Sequence, residues 1–103
     1  MGLLNSRGRA VNNMSKKTMQ DLRDAFNFAL IQEFPFIAVE VQIDGFPANE
    51  IIINKKESIP SKLKYYETNY DDNLQHKHSP SVSIVDFDFA DYVDELKWFR
   101  EDL

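Results

Sequence analysis

Apolar positions recur along this chain with two different periods, and each change of period marks an element. From Met19 through Leu22, Phe26, Ala29 and Leu30 to Glu33 the rhythm is close to 3.6 residues, which predicts an amphipathic helix. Ser15 is placed to cap it near Lys16. Phe34-Pro35 ends it, because proline lacks an amide donor and pushes its predecessor out of the helical region. Phe28 and Ile31 broaden the stripe, which predicts packing on a sheet. The period then drops to two. Ile37, Val39, Val41 and Ile43 alternate with Ala38, Glu40, Gln42 and Asp44, a strand with one dry and one wet face. Asp44 to Asn49 carries turn residues, and Ile51-Ile52-Ile53 resumes a strand, so the pair reads as an antiparallel hairpin with a loop longer than two residues.

Ser61 is the expected cap of a second helix, with Leu63, Tyr66, Tyr70 and Leu74 along one face. Asp71-Asp72-Asn73 weakens its C-terminal end, where acids oppose the helix dipole, so the helix can stop before Leu74. Gln75 to Pro80 is loop by composition. Val82, Ile84, Phe87 and Phe89 then line a third strand, provided that a bulge at Val85-Asp86 returns both halves to one face. Asp88 or Asp91 is placed to cap a last helix with a stripe of Phe89, Val93, Leu96 and Phe99. The order is α-β-β-α-β-α. Burying every patterned face calls for an α+β fold: a small, three-stranded, mainly antiparallel sheet covered by helices.

With 103 residues, 43% of them hydrophobic and 28% charged, the chain has the size and composition of a single globular domain. The patterning places that domain at 15–103, behind a flexible basic leader at 1–14. Residues 1–23 carry five Lys/Arg against one Asp, whereas 24–103 carry seven against sixteen acids, so the body is anionic. The absence of cysteine removes disulfides and thiolate chemistry. No apolar run approaches the roughly 20 residues that span a bilayer.

Reactive constellations are missing from the patterning. His76 and His78 stand in a loop without an identifiable third or fourth ligand, so no metal or cofactor is expected. Asp86 and Asp88 form a carboxylate pair without HExxH, a glycine-rich phosphate loop or GxSxG beside it, so no catalytic residue is assigned. Lys55, Lys56, Lys62 and Lys64 cluster near Tyr65 and Tyr66, a mixture that suits stacked bases. The acidic body repels a phosphate backbone, however, and argues against nucleic acid as a partner. An acidic surface is expected from Asp86, Asp88, Asp91, Asp94 and Glu95, and spaced acids of this kind are what a DNA mimic would need. The aromatics less readily explained by a core are Phe46, with Pro47 beside it in the hairpin loop, Tyr65, and Trp98. These are the interface candidates.

The stretches Gly45-Phe46-Pro47, Glu50-Ile51-Ile52-Ile53-Asn54, Lys62-Leu63-Lys64-Tyr65-Tyr66, Tyr70-Asp71-Asp72-Asn73-Leu74 and Ile84-Val85-Asp86-Phe87 resemble small uncharacterised proteins of bacteriophages and prophages of Gram-positive bacteria. The resemblance spans residues 36–90 and brings no activity or site residues with it. It implies a phage origin and a setting in the host cytoplasm or the virion. The combined expectation is a noncatalytic accessory protein that binds a phage or host protein. A homo-oligomeric head or tail component, and a nucleic-acid-directed factor or DNA mimic, are the alternatives.

Overall fold

Thr18, rather than Ser15, starts the first helix. Its hydroxyl accepts the Asp21 N–H at 3.3 Å, and the Asp21 carboxylate accepts the Thr18 N–H at 2.8 Å. This reciprocal pair satisfies donors that a helix start leaves open. Helix α1 accordingly runs Met19–Ile31 and buries Met19, Leu22, Phe26 and Ala29. The computed structural model describes residues 16–96. The expected leader, Ser15, Trp98 and Phe99 lie outside them.

The helix ends before Pro35 is reached. Glu33 takes a left-handed conformation (φ 59°), its N–H donates to the Leu30 carbonyl, and the Phe34 N–H donates to that of Ala29 at 2.8 Å. These are the two bonds of a Schellman terminus. The apolar contact that accompanies it is made by the Phe28 and Phe34 rings, 6.2 Å apart.

Strands β1 (Phe36–Ile43), β2 (Glu50–Lys55) and β3 (Val82–Ala90) form one sheet in the order β2-β1-β3, antiparallel throughout. The expected hairpin is present, with Val39 opposite Ile52, and the central strand is flanked on both sides. In β3 the register steps from Ile84 opposite Val41 to Asp86 opposite Glu40, which leaves Val85 as the extra residue of a bulge. Val82, Ile84, Phe87 and Phe89 thereby all reach the main core.

Helix α2 spans Ile59–Asn69 after a 3₁₀ turn at Lys56–Ser58. Ser61 is not its cap: it lies in the first turn and donates its hydroxyl to the Ser58 carbonyl at 3.2 Å. Pro60 suits that first turn, where no N–H is needed, and buried Ile59 anchors the start. Tyr70 and Leu74 have left the helix yet stay buried. They are held by a tight loop in which the Asp71 carboxylate accepts the Asn73 and Gln75 N–H groups. The Gln75 amide then donates to the carbonyls of Ser79, Pro80 and Val82, so the segment entering β3 is stitched in place.

Helices α1 and α2 cover one face of the sheet, α1 over β1 and β3, α2 against β2. The other face is dry as well at its centre. After β3 the chain makes a 3₁₀ turn at Val93–Glu95, and Leu96 packs on Ala38 and Ala90 with Ile51 and Val93 around them. The wet face expected of β1 is therefore interrupted at Ala38, which is fully buried. Phe89 does not share a helical stripe with Val93 and Leu96. The strand continues through Ala90, so alternation sends Phe89 to the helix side and Ala90 to the side that Leu96 covers. Asp88 is likewise a strand residue, and the turn is capped through the Glu95 carboxylate.

Candidate interaction surfaces

Phe46 is 66% exposed, and its N–H donates to the Ile43 carbonyl across the tip of the β1–β2 connection. Gly45 supplies the positive φ (89°) that this tip requires. Pro47 beside it is exposed too. Tyr65 is exposed on α2, with its ring 5.4 Å from that of Tyr66 and the Lys62 ammonium over both rings at 5.2 and 5.5 Å. The loop tip and the helix flank thus present separate apolar projections. Trp98 lies outside the described residues.

A further surface was hidden in the helical periodicity. Phe28 and Ile31, which the pattern assigns to the sheet-facing stripe, are 47% and 74% exposed. They sit three residues apart on α1 and are therefore neighbours on its surface. Phe28 stacks at 5.2 Å on Phe89, which lies 4.7 Å from Phe34. Three rings from helix, helix terminus and strand thus meet, with Phe28 and Ile31 on the outside. The clue in the sequence was that Phe28 and Ile31 widen the stripe beyond what Met19, Leu22, Phe26 and Ala29 need to cover the sheet.

The acidic series divides by role. The carboxylates of Asp86 and Asp88 accept the N–H groups of Phe87 (2.8 Å) and Phe89 (3.0 Å), and Glu95 accepts those of Asp91 (3.1 Å) and Tyr92 (3.2 Å). Lys17 reaches Asp86 at 3.6 Å and lies over the Phe87 ring. Asp91 and Asp94 are exposed. Three of the five acids are thus engaged with the chain's own backbone at the β3 edge and the turn that follows it.

A row of rings runs from Tyr66 to Tyr70 (5.9 Å), His76 (4.9 Å) and His78 (6.1 Å). His76 Nδ1 accepts the His78 N–H at 3.0 Å, which ties that nitrogen to the loop backbone. Burial pushes the Tyr66 hydroxyl up to about 12, with the Asn54 amide pulling the other way, and burial also raises Tyr70. The Tyr66 oxygen makes no hydrogen bond of proper geometry. Among the described residues no group of three or more His, Cys, Asp or Glu is gathered to hold a metal. An open depression of about 340 Å³ is lined by Thr18, Met19, Gln20, Arg23, Asp72 and Asn73. Its one cation, Arg23, is committed to Glu67 at 2.6 Å.

Among the described residues no helix is long and apolar enough to cross a membrane. No protein family, curated protein or solved structure matches this chain.

Proposed function

We propose that this chain is a noncatalytic accessory protein that works by binding another protein. The observation that carries the reading is the exposed Phe28–Ile31 surface backed by Phe34 and Phe89. Aromatic side chains on a rigid backing lose little conformational freedom on docking, and clusters of this kind dominate binding energy at interfaces. The backing here is made by Phe34 at the α1 terminus and Phe89 in β3, whose rings lie 4.7 Å apart. The resemblance to phage and prophage proteins favours a phage or host protein as the occupant, in the host cytoplasm or the virion. Capture with the full chain as bait, followed by titration of the purified partner, tests the proposal. A saturable partner whose affinity drops about 100-fold or more in a Phe28→Asp variant that stays folded by circular dichroism is the expected result. No saturable partner, or equal binding by wild type and variant, overturns it.

A further inference from the structure

The two edges of the sheet are finished differently. Along β3, the Val82 carbonyl accepts the His76 N–H and the Ile84 N–H donates to the Leu74 carbonyl, so the first half is covered by chain. Past the bulge, the outward N–H groups of Phe87 and Phe89 are taken by Asp86 and Asp88, and that of Asp91 by Glu95. Side-chain carboxylates in these positions take up the N–H donors that the carbonyls of an incoming strand would need.

The β2 edge has no such closure. Lys56 donates its N–H to the Pro35 carbonyl, and with the register this sets the alternation: Glu50, Ile52 and Asn54 direct their backbone groups to β1, while those of Ile51, Ile53 and Lys55 point outward. Among the described residues nothing caps them. Ile53 is 43% exposed. Above this edge stands α2. Its Glu67 faces α1 through Arg23, and Tyr65, about 200° away around the helix axis, therefore projects on the opposite flank, over β2.

We propose that two copies of this chain pair their β2 edges antiparallel about a two-fold axis, forming one continuous six-stranded sheet with Tyr65 of each copy beside the join. A second copy is the occupant because the strand complements itself. Glu50-Ile51-Ile52-Ile53-Asn54-Lys55-Lys56 carries an acid at its start, bases at its end and β-branched residues between. With Ile53 on the axis, antiparallel pairing sets Ile51 opposite Lys55 and Glu50 opposite Lys56 of the other copy, the latter two both on the helix face, so opposite charges meet at both ends, whereas parallel pairing sets like on like. Strand addition gives affinity through main-chain bonds, and a two-fold axis closes the assembly at two. The Phe28 surface lies on the β3 side, at the far edge, so this proposal and the partner-binding reading stand or fall separately.

Sedimentation velocity and native mass spectrometry on the full chain, together with hydrogen exchange at low and high protein concentration, test it. Expected are a dimer whose fraction rises with concentration and amides of Ile51, Ile53 and Lys55 that gain protection with it. Ile53→Lys weakens dimerisation by about tenfold or more without changing the circular dichroism of the monomer. Glu50→Lys and Lys56→Glu each weaken it, and the double variant recovers it. A monomer at every concentration overturns the proposal. So does a dimer indifferent to Ile53→Lys, or one lost in Phe28→Asp instead. Should Ile53→Lys fail to fold, wild-type exchange decides: protection of the three amides that does not depend on concentration overturns it.

Discussion

At the scale of single residues, Tyr66 shows how packing and polarity compete in a core of this size. Its ring is 1% exposed and meets Phe26 edge-on at 5.9 Å, a contact that favours an aromatic there. The hydroxyl gains nothing comparable, since it is buried without a good hydrogen bond. Removing it in Tyr66→Phe is expected to leave stability unchanged or to raise it by about 1 kcal/mol at neutral pH, read from urea unfolding. The hydroxyl also has a pH signature. With a folded pKa of about 12 against 10.0 unfolded, the unfolded chain releases the proton first. The contribution is therefore fully present below pH 10 and lost as pH rises toward 12, by an amount on the order of 2–3 kcal/mol. Tyr66→Phe should flatten that decline, leaving the smaller part due to Tyr70, whose hydroxyl is raised in the same direction. Leu74 is a second case in which burial decides. It sits at φ 63°, unfavourable for a branched side chain, yet is fully buried. The loop turns there because the side chain belongs in the core.

At the scale of elements, the ends of α1 matter more than its middle. The C-terminal Schellman turn needs a left-handed residue, and Glu33 occupies it at φ 59°, where glycine would be at ease. Glu33 also lies 3.6 Å from Lys56, but its side chain is 78% exposed, and such pairs contribute little. Glu33→Gly is therefore expected to stabilise the fold by about 0.5–1 kcal/mol, seen as a higher urea midpoint at unchanged slope. The sheet's edges follow a similar logic. Asp86 and Asp88 look in sequence like a catalytic pair, and in the fold they seal backbone donors. Alternation places both on one side of the strand; only the bulge and the β1 pairing decide that the neighbouring N–H groups face out.

At the scale of the whole molecule, the described residues bury the two faces of the sheet by different means. Two helices cover one, whereas the 3₁₀ turn and Leu96 pack over the centre of the other, on the small side chains of Ala38 and Ala90. Small residues at these positions let the segment approach closely. Leu96→Ala is expected to cost about 2–3 kcal/mol by thermal or chemical unfolding, a large share of the stability of a domain this small. It should also raise exchange in β1 and in the C-terminal half of β3 before the helices respond. The charge division acts at this scale too. An anionic body keeps copies apart at long range, which places the burden of any self-association on short-range strand pairing.

Hydrophobic period alone determined the α+β class, the hairpin and the order of elements, because each of these follows from which residues must leave water. It also located the bulge, since Ile84 and Phe87 cannot share a face without one. The tertiary structure decided the rest. Period identifies an apolar side chain but not its cover, so Phe28 and Ile31 read as core and proved to be surface, while Ala38 read as wet and proved dry. The starts of the two helices, at Thr18 rather than Ser15 and ahead of Ile59 rather than at Ser61, go with the burial of Met19 and Ile59. Which edge of the sheet stays open depended on hydrogen-bond parity across three strands, a property no single segment carries.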